Sequence, residues 1–135
     1  MNTASEEFGA VLYTAYLEEA EQYAAALALA REVTAACRRG EAMEERLSQV
    51  LALLTETAKR DALLAPTKQR WEQAGRPSND ALRAVMDRIA GLIQQIRDEL
   101  QVMEQTVQAR RDQLADELDV CNRRCRMQRA YQRKS

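Results

Sequence analysis

Two cysteines near the end of the chain, Cys121 and Cys125, stand four residues apart, so a helix would place both thiols on one side, where they could ligate one metal ion. A structural zinc site normally takes four Cys or His ligands. The chain has no histidine and only one further cysteine, Cys37. We therefore interpret all three cysteines as small apolar residues of helix stripes, and we predict no metal and no other cofactor.

The chain also lacks a recognisable pattern for catalysis. It has no histidine for general-base work, no Gly-rich phosphate loop and no Ser or Cys in a nucleophile motif. Its many acidic residues are scattered, as expected for the solvent faces of long helices. We therefore predict that the protein is not an enzyme and has no small-molecule substrate. Trp71 is interpreted as a packing residue over one end of a helical bundle.

The charge of the chain is uneven. The last fifteen residues, CNRRCRMQRAYQRKS, contain six basic residues and no acid, whereas residues 1–23 contain five glutamates and no base. A basic segment can bind nucleic acid. However, the whole chain has a net charge of −1 and no groove-reading motif, and the segment holds one aromatic residue, Tyr131. Nucleic-acid binding is therefore kept only as a third alternative, behind binding to proteins.

The elements that position these residues are predicted from composition and periodicity. The chain is 46% hydrophobic and 30% charged, with four Gly and two Pro, which is typical of long helices. Apolar residues at steps of three and four predict a first helix that stops at Gly40 and a second that Pro66 ends or kinks. The first stripe runs from Phe8 to Cys37, and a third runs from Leu82 to Val107 and resumes at Leu114 after a break at Arg110. The second stripe comprises Met43, Leu47, Val50, Leu51, Leu54 and Ala58.

These elements predict a single helical domain. A helical hairpin at about 5–65 is followed by a connecting segment at about 66–79 and a long helix at about 80–131, with Ser78 or Asn79 as its N-cap. The fold class is all-α: an elongated antiparallel three-helix coiled-coil bundle with a long C-terminal helix. If the hairpin and the long helix start level, roughly 16 residues of the long helix extend beyond the hairpin.

The predicted overhang carries apolar residues without cover inside the molecule, and we interpret it as a docking element for another protein. The predicted partner-binding residues are Leu114, Leu118, Cys121, Arg124, Cys125, Met127 and Tyr131. The alternatives are a structural or adaptor coiled coil of a secretion or other complex, and self-association as a homodimer along the same stripe.

The layout resembles the flagellar export chaperones of the FlgN type. The likeness rests on YLEEAEQYAAALALAREVTAACRRGEAMEERLSQVLALLTETAKRDALL, with its break at Gly40-Glu41, and on the terminal RMQRAYQ. The resemblance implies a chaperone that binds hook-associated or other exported flagellar subunits through its C-terminal helix. Such a chaperone prevents their premature polymerisation and delivers them to the export machinery. One departure is the pair of thiols where larger aliphatic residues would bind more strongly.

The expected location is the cytoplasm. The start of the chain, MNTASEEFGAV, lacks the basic region and apolar run of a signal peptide, and an odd number of cysteines suits reduced thiols. No segment approaches the roughly 18 apolar residues of a membrane helix, so membrane insertion is not expected.

Overall fold

The computed structural model describes residues 3–77 and 79–134, and this part of the chain consists of three helices without a strand. They are α1 (Thr3–Arg38), α2 (Glu44–Gln73) and α3 (Asp80–Lys134), which is 55 residues long. The side chains of residues 3–5 and 134 are outside the description. The predicted all-α bundle with a long C-terminal helix is confirmed.

The helix ends coincide with glycine and N-cap residues of the sequence. Gly40, with φ of +70°, and Gly75, with φ of +90°, adopt the left-handed conformation just beyond α1 and α2. Asn79 caps α3, because its Oδ1 accepts hydrogen bonds from the backbone N–H groups of Ala81 (2.9 Å) and Leu82 (3.3 Å). Ser78, the other predicted cap, lies outside the described residues.

Helix α2 continues through Pro66 and ends at Gln73. The proline cannot donate the backbone hydrogen bond of a helix interior, which would reach the carbonyl of Ala62. Both residues are exposed, so water can satisfy that carbonyl. The connecting segment predicted at 66–79 is therefore shorter in the structure, and Pro66 lies inside the helix.

Helix α1 is the central element, since both α2 and α3 pack against it. Leu12 shares a core cluster with Leu82, and Leu27 shares another with Ile96. The numbers in each pair differ by about 70, so α1 and α3 run parallel with a constant offset. Within the described residues, no Cα of α2 lies within 8 Å of a Cα of α3. A groove over α1 thus separates the two outer helices.

The predicted stripes of α1 and of residues 82–107 are buried or half-buried throughout. The stripe predicted for α2 is partly wrong, because Leu51 is 57% exposed and Ala58 is also exposed. The buried residues of α2 are Val50, Thr57 and Trp71. Trp71 is 8% exposed and packs in the cluster of Leu12 and Leu82, which confirms that it is a packing residue.

Candidate partner-binding surface

Helix α3 leaves the bundle at Arg110. This side chain is half-buried and lies against Gly40 in the turn between α1 and α2. Every residue from 111 to 133 is exposed. At 1.5 Å per residue, this projecting segment is about 35 Å long. We call residues 111–133 the projecting segment.

The projecting segment is longer than the roughly 16 residues predicted, and the offset between helices explains the difference. The prediction assumed that α3 starts level with the hairpin. Instead Leu82, near the start of α3, packs beside Leu12, about two turns inside α1. Those two turns of α1 extend past the start of α3, so the far end of α3 projects further by a similar length.

All seven predicted partner-binding residues lie in the projecting segment and are exposed. Leu118 is 62% exposed, Met127 63% and Tyr131 77%. The described part of the chain has nine exposed large hydrophobic residues, and five of them fall between Leu114 and Tyr131. This concentration separates the segment from an ordinary surface, where single exposed apolar residues are scattered.

The helix arranges these apolar residues on two faces. One face, which we call the Leu–Cys stripe, consists of Leu114, Leu118, Cys121 and Cys125, at steps of four, three and four. Val120 and Met127 lie on a second face, at roughly 130° from the stripe at 100° per residue. Arg124, Met127 and Tyr131 line one shallow hollow beside this second face.

Charge changes sign along the projecting segment. Its first half carries Asp112, Asp116, Glu117 and Asp119, and its second half carries the basic residues of the terminal sequence. Asp119 pairs with Arg123 at 3.1 Å within the helix, on the side away from the Leu–Cys stripe. Glu117 and Arg124 both lie at one edge of the stripe, and neither has an ion-pair partner among the described residues.

A buried carboxyl group in the bundle was not predicted. The sequence suggested that all acids lie on solvent faces, and for Glu19 this is wrong, since it is 1% exposed. Its side chain is hydrogen-bonded to Asp61 of α2, and one of its oxygens has no partner. The position of Glu19, between Tyr16 and Tyr23 on the buried face of α1, was the available signal.

Burial, together with the hydrogen bond and the negative charge of Asp61, raises the pKa of Glu19 to about 8, although the positive charges of Arg60 and Lys68 act to lower it. Burial, with the nearby carboxyl groups of Glu19, Asp61 and Glu72, also raises the pKa of Tyr16 to about 12. Asp61, Lys68 and the two tyrosines line part of the groove between α2 and α3, which has a volume of about 370 Å³.

Cys37 is buried in the core, whereas Cys121 and Cys125 are exposed. Within the described residues, no group of three or more His, Cys, Asp or Glu side chains is placed to hold a metal ion. None of the described helices is long and apolar enough to cross a membrane. In comparisons with known proteins, no protein-family model, no curated protein and no solved structure matches this chain.

Proposed function

We propose that this protein is a cytoplasmic, non-enzymatic export chaperone that binds its client through the projecting segment of α3. The observation that carries the proposal is the continuation of α3 as exposed amphipathic helix beyond Arg110, with five exposed large apolar residues in 18 positions. The resemblance to flagellar chaperones of the FlgN type supplies the proposed client class, which is hook-associated subunits or other exported flagellar proteins.

The physical basis of client binding is burial of apolar surface. An isolated helix without tertiary contacts is only marginally stable in water, so a partner that covers one face both gains affinity and orders the segment. Complete burial of a side chain such as Met127 contributes about 1.5–3 kcal/mol. A client segment that forms a helix along this surface would be prevented from joining its neighbours in the polymer.

The terminal basic residues would add electrostatic steering. Arg123, Arg124, Arg126 and Arg129 follow one another within two helical turns, and all are exposed. Exposed charges of this kind change the association rate and the choice of partner more than the affinity. An acidic or mixed-charge client helix therefore fits this surface better than a basic one.

The test is isothermal titration calorimetry of the full chain against purified hook-associated proteins of the same cell. We expect a chain that ends at Leu118 to lose binding, and the double variant Met127→Asp, Tyr131→Asp to weaken it by tenfold or more, roughly. The matched control is Leu63→Asp, because Leu63 is 81% exposed but lies on α2, far along the chain from the projecting segment.

Binding that disappears in both tail variants and persists in Leu63→Asp supports the proposal. Undiminished binding by the chain ending at Leu118 would remove the projecting segment as the client site. If none of the hook-associated proteins binds the full chain, the flagellar client class is wrong. Binding to mixed-sequence DNA or RNA with a steep salt dependence would instead indicate a nucleic-acid-binding protein.

A further inference from the structure

We infer that the Leu–Cys stripe pairs with the same stripe of a second copy of this chain, in the antiparallel direction. The stripe spans four positions, Leu114, Leu118, Cys121 and Cys125, and all four side chains are exposed. The next positions in the same pattern are Arg111 and Gln128. Both are polar, so the apolar stretch ends at these two positions. The apolar seam is therefore short and has defined limits.

An antiparallel pair opposes large side chains with small ones in every layer. In the alignment centred between Asp119 and Val120, Leu118 faces Cys121 of the second copy, and Leu114 faces its Cys125. The two-fold symmetry repeats both contacts, which gives four Leu–Cys layers. The thiols, which are small for binding an arbitrary client, are thus suited in size to a self-complementary seam.

The charges at the edge of the stripe select this direction. In an antiparallel coiled coil, heptad position g, which directly precedes core position a, lies beside a position g of the other helix. Glu117 precedes Leu118, and Arg124 precedes Cys125. The alignment that opposes Leu with Cys also places Glu117 opposite Arg124 of the second copy, twice by symmetry.

The parallel arrangement is disfavoured by the same residues. Parallel coiled coils pair an edge residue with the residue five positions later on the other helix. Arg124 would then face Arg129, and Glu117 would face Asn122. In the parallel pair, Arg124 therefore faces a like charge, whereas in the antiparallel pair it faces the opposite charge of Glu117.

The antiparallel pair leaves the second face of the projecting segment open. Val120 and Met127 are turned roughly 130° from the seam and stay exposed in the pair. The inference does not depend on the proposed client, because it concerns the protein alone. Its failure would leave the client test unaffected.

The experiment is sedimentation velocity of the full chain over a wide concentration range, with three charge variants. We expect the wild-type chain to form a dimer at high concentration. Glu117→Arg and Arg124→Glu should each weaken the dimer, roughly tenfold, because each variant places like charges together. An equimolar mixture of these two variants should dimerise again, since the opposite charges then meet between unlike chains. The double variant Glu117→Arg, Arg124→Glu should also recover the wild-type affinity.

A wild-type chain that stays monomeric at every concentration would overturn the inference. A dimer that Arg124→Glu strengthens would show the parallel arrangement, since that change places a carboxylate opposite Arg129 and removes a repulsion. A dimer that none of the charge variants alters would place the contact elsewhere. The variants change only exposed side chains of the projecting segment, and circular dichroism of each one checks that the helices remain.

Discussion

Arg110 lies against Gly40, and a Cβ built on that glycine would stand 2.9 Å from Arg110 Nη2. The contact joins the turn after α1 to the last half-buried residue of α3. The contact therefore lies at the level where the bundle ends and the projecting segment begins. Gly40 is suited to this place for two reasons, because its φ of +70° favours glycine and because a larger residue would displace the guanidinium.

The first prediction separates these two roles of Gly40. We expect Gly40→Ala to lower the free energy of unfolding by about 1–2 kcal/mol through backbone strain. Displacement of Arg110 should add about 0.5 kcal/mol. Urea unfolding followed by circular dichroism measures both. Gly75→Ala is the matched control, because Gly75 has φ of +90° and nothing within 4 Å of a built Cβ.

Equal losses in the two variants would show that the contact with Arg110 contributes nothing. A further check is Gly40→Ala in an Arg110→Ala background. There the loss should fall to the value of Gly75→Ala, since only the backbone strain remains.

The second prediction concerns Gly91, which is exposed within α3 with nothing within 4 Å of a built Cβ. Gly91→Ala should raise the free energy of unfolding by about 0.5–1 kcal/mol, because alanine loses less backbone entropy in a helix. Urea unfolding of the variant measures the gain. The control is Ala90→Gly at the neighbouring exposed residue, which should lower the free energy of unfolding by a similar amount. A loss of stability in Gly91→Ala would contradict the open environment of this position.

How far the sequence predicts this fold depends on how regular each helix is. The stripes of α1 and α3 were predicted correctly because each buries one continuous face against a parallel neighbour. The stripe of α2 was not, since the buried line of α2 runs through Thr57 rather than Ala58. The sequence did not predict that Thr57 is buried, because threonine is polar. In the structure its hydroxyl donates a hydrogen bond to the carbonyl of Leu53 at 2.8 Å.

The candidate site was predicted in part. Helix lengths alone indicated that roughly 16 residues of the long helix, near CNRRCRMQRAY, project from the bundle, and the structure confirms that this segment is exposed. The length of the projection was underestimated because the offset between α1 and α3 is a tertiary property. Glu19 was missed because a carboxyl group is normally a surface residue, whereas Glu19 is buried on α1 beside Asp61 of α2.

The third prediction is that the projecting segment contributes nothing to the stability of the bundle. A chain ending at Leu118 should lose helical ellipticity but keep its urea midpoint, measured at low concentration, because none of the removed residues that the structure describes is buried. A chain ending at Glu99 is the control. It lacks Leu100 and Met103, which pack against the core clusters, and should unfold at lower urea. A lower midpoint for the Leu118 chain would show unexpected contacts with the bundle.

The last prediction is a pH dependence of stability that originates at Glu19. Its pKa is raised from 4.5 to about 8 in the folded chain, so the folded state keeps a proton that the unfolded state releases. Below about pH 4.5 both states are protonated, and the contribution of Glu19 to stability is fully present. As the pH rises from about 4.5 to about 8, the free energy of unfolding falls by on the order of 4 kcal/mol, because the unfolded state releases this proton first.

Glu19→Gln, which stays neutral at every pH, should remove this loss. We expect the variant to resemble the wild type in acid and to exceed it increasingly at pH 7 and 9 in urea unfolding, because glutamine carries no proton to release. Glu56→Gln is the control, since it removes an exposed carboxylate of α2 without touching the core. If the difference in free energy of unfolding between the wild type and Glu19→Gln stays constant across this pH range, the pKa of Glu19 is not raised on folding, and the prediction is wrong.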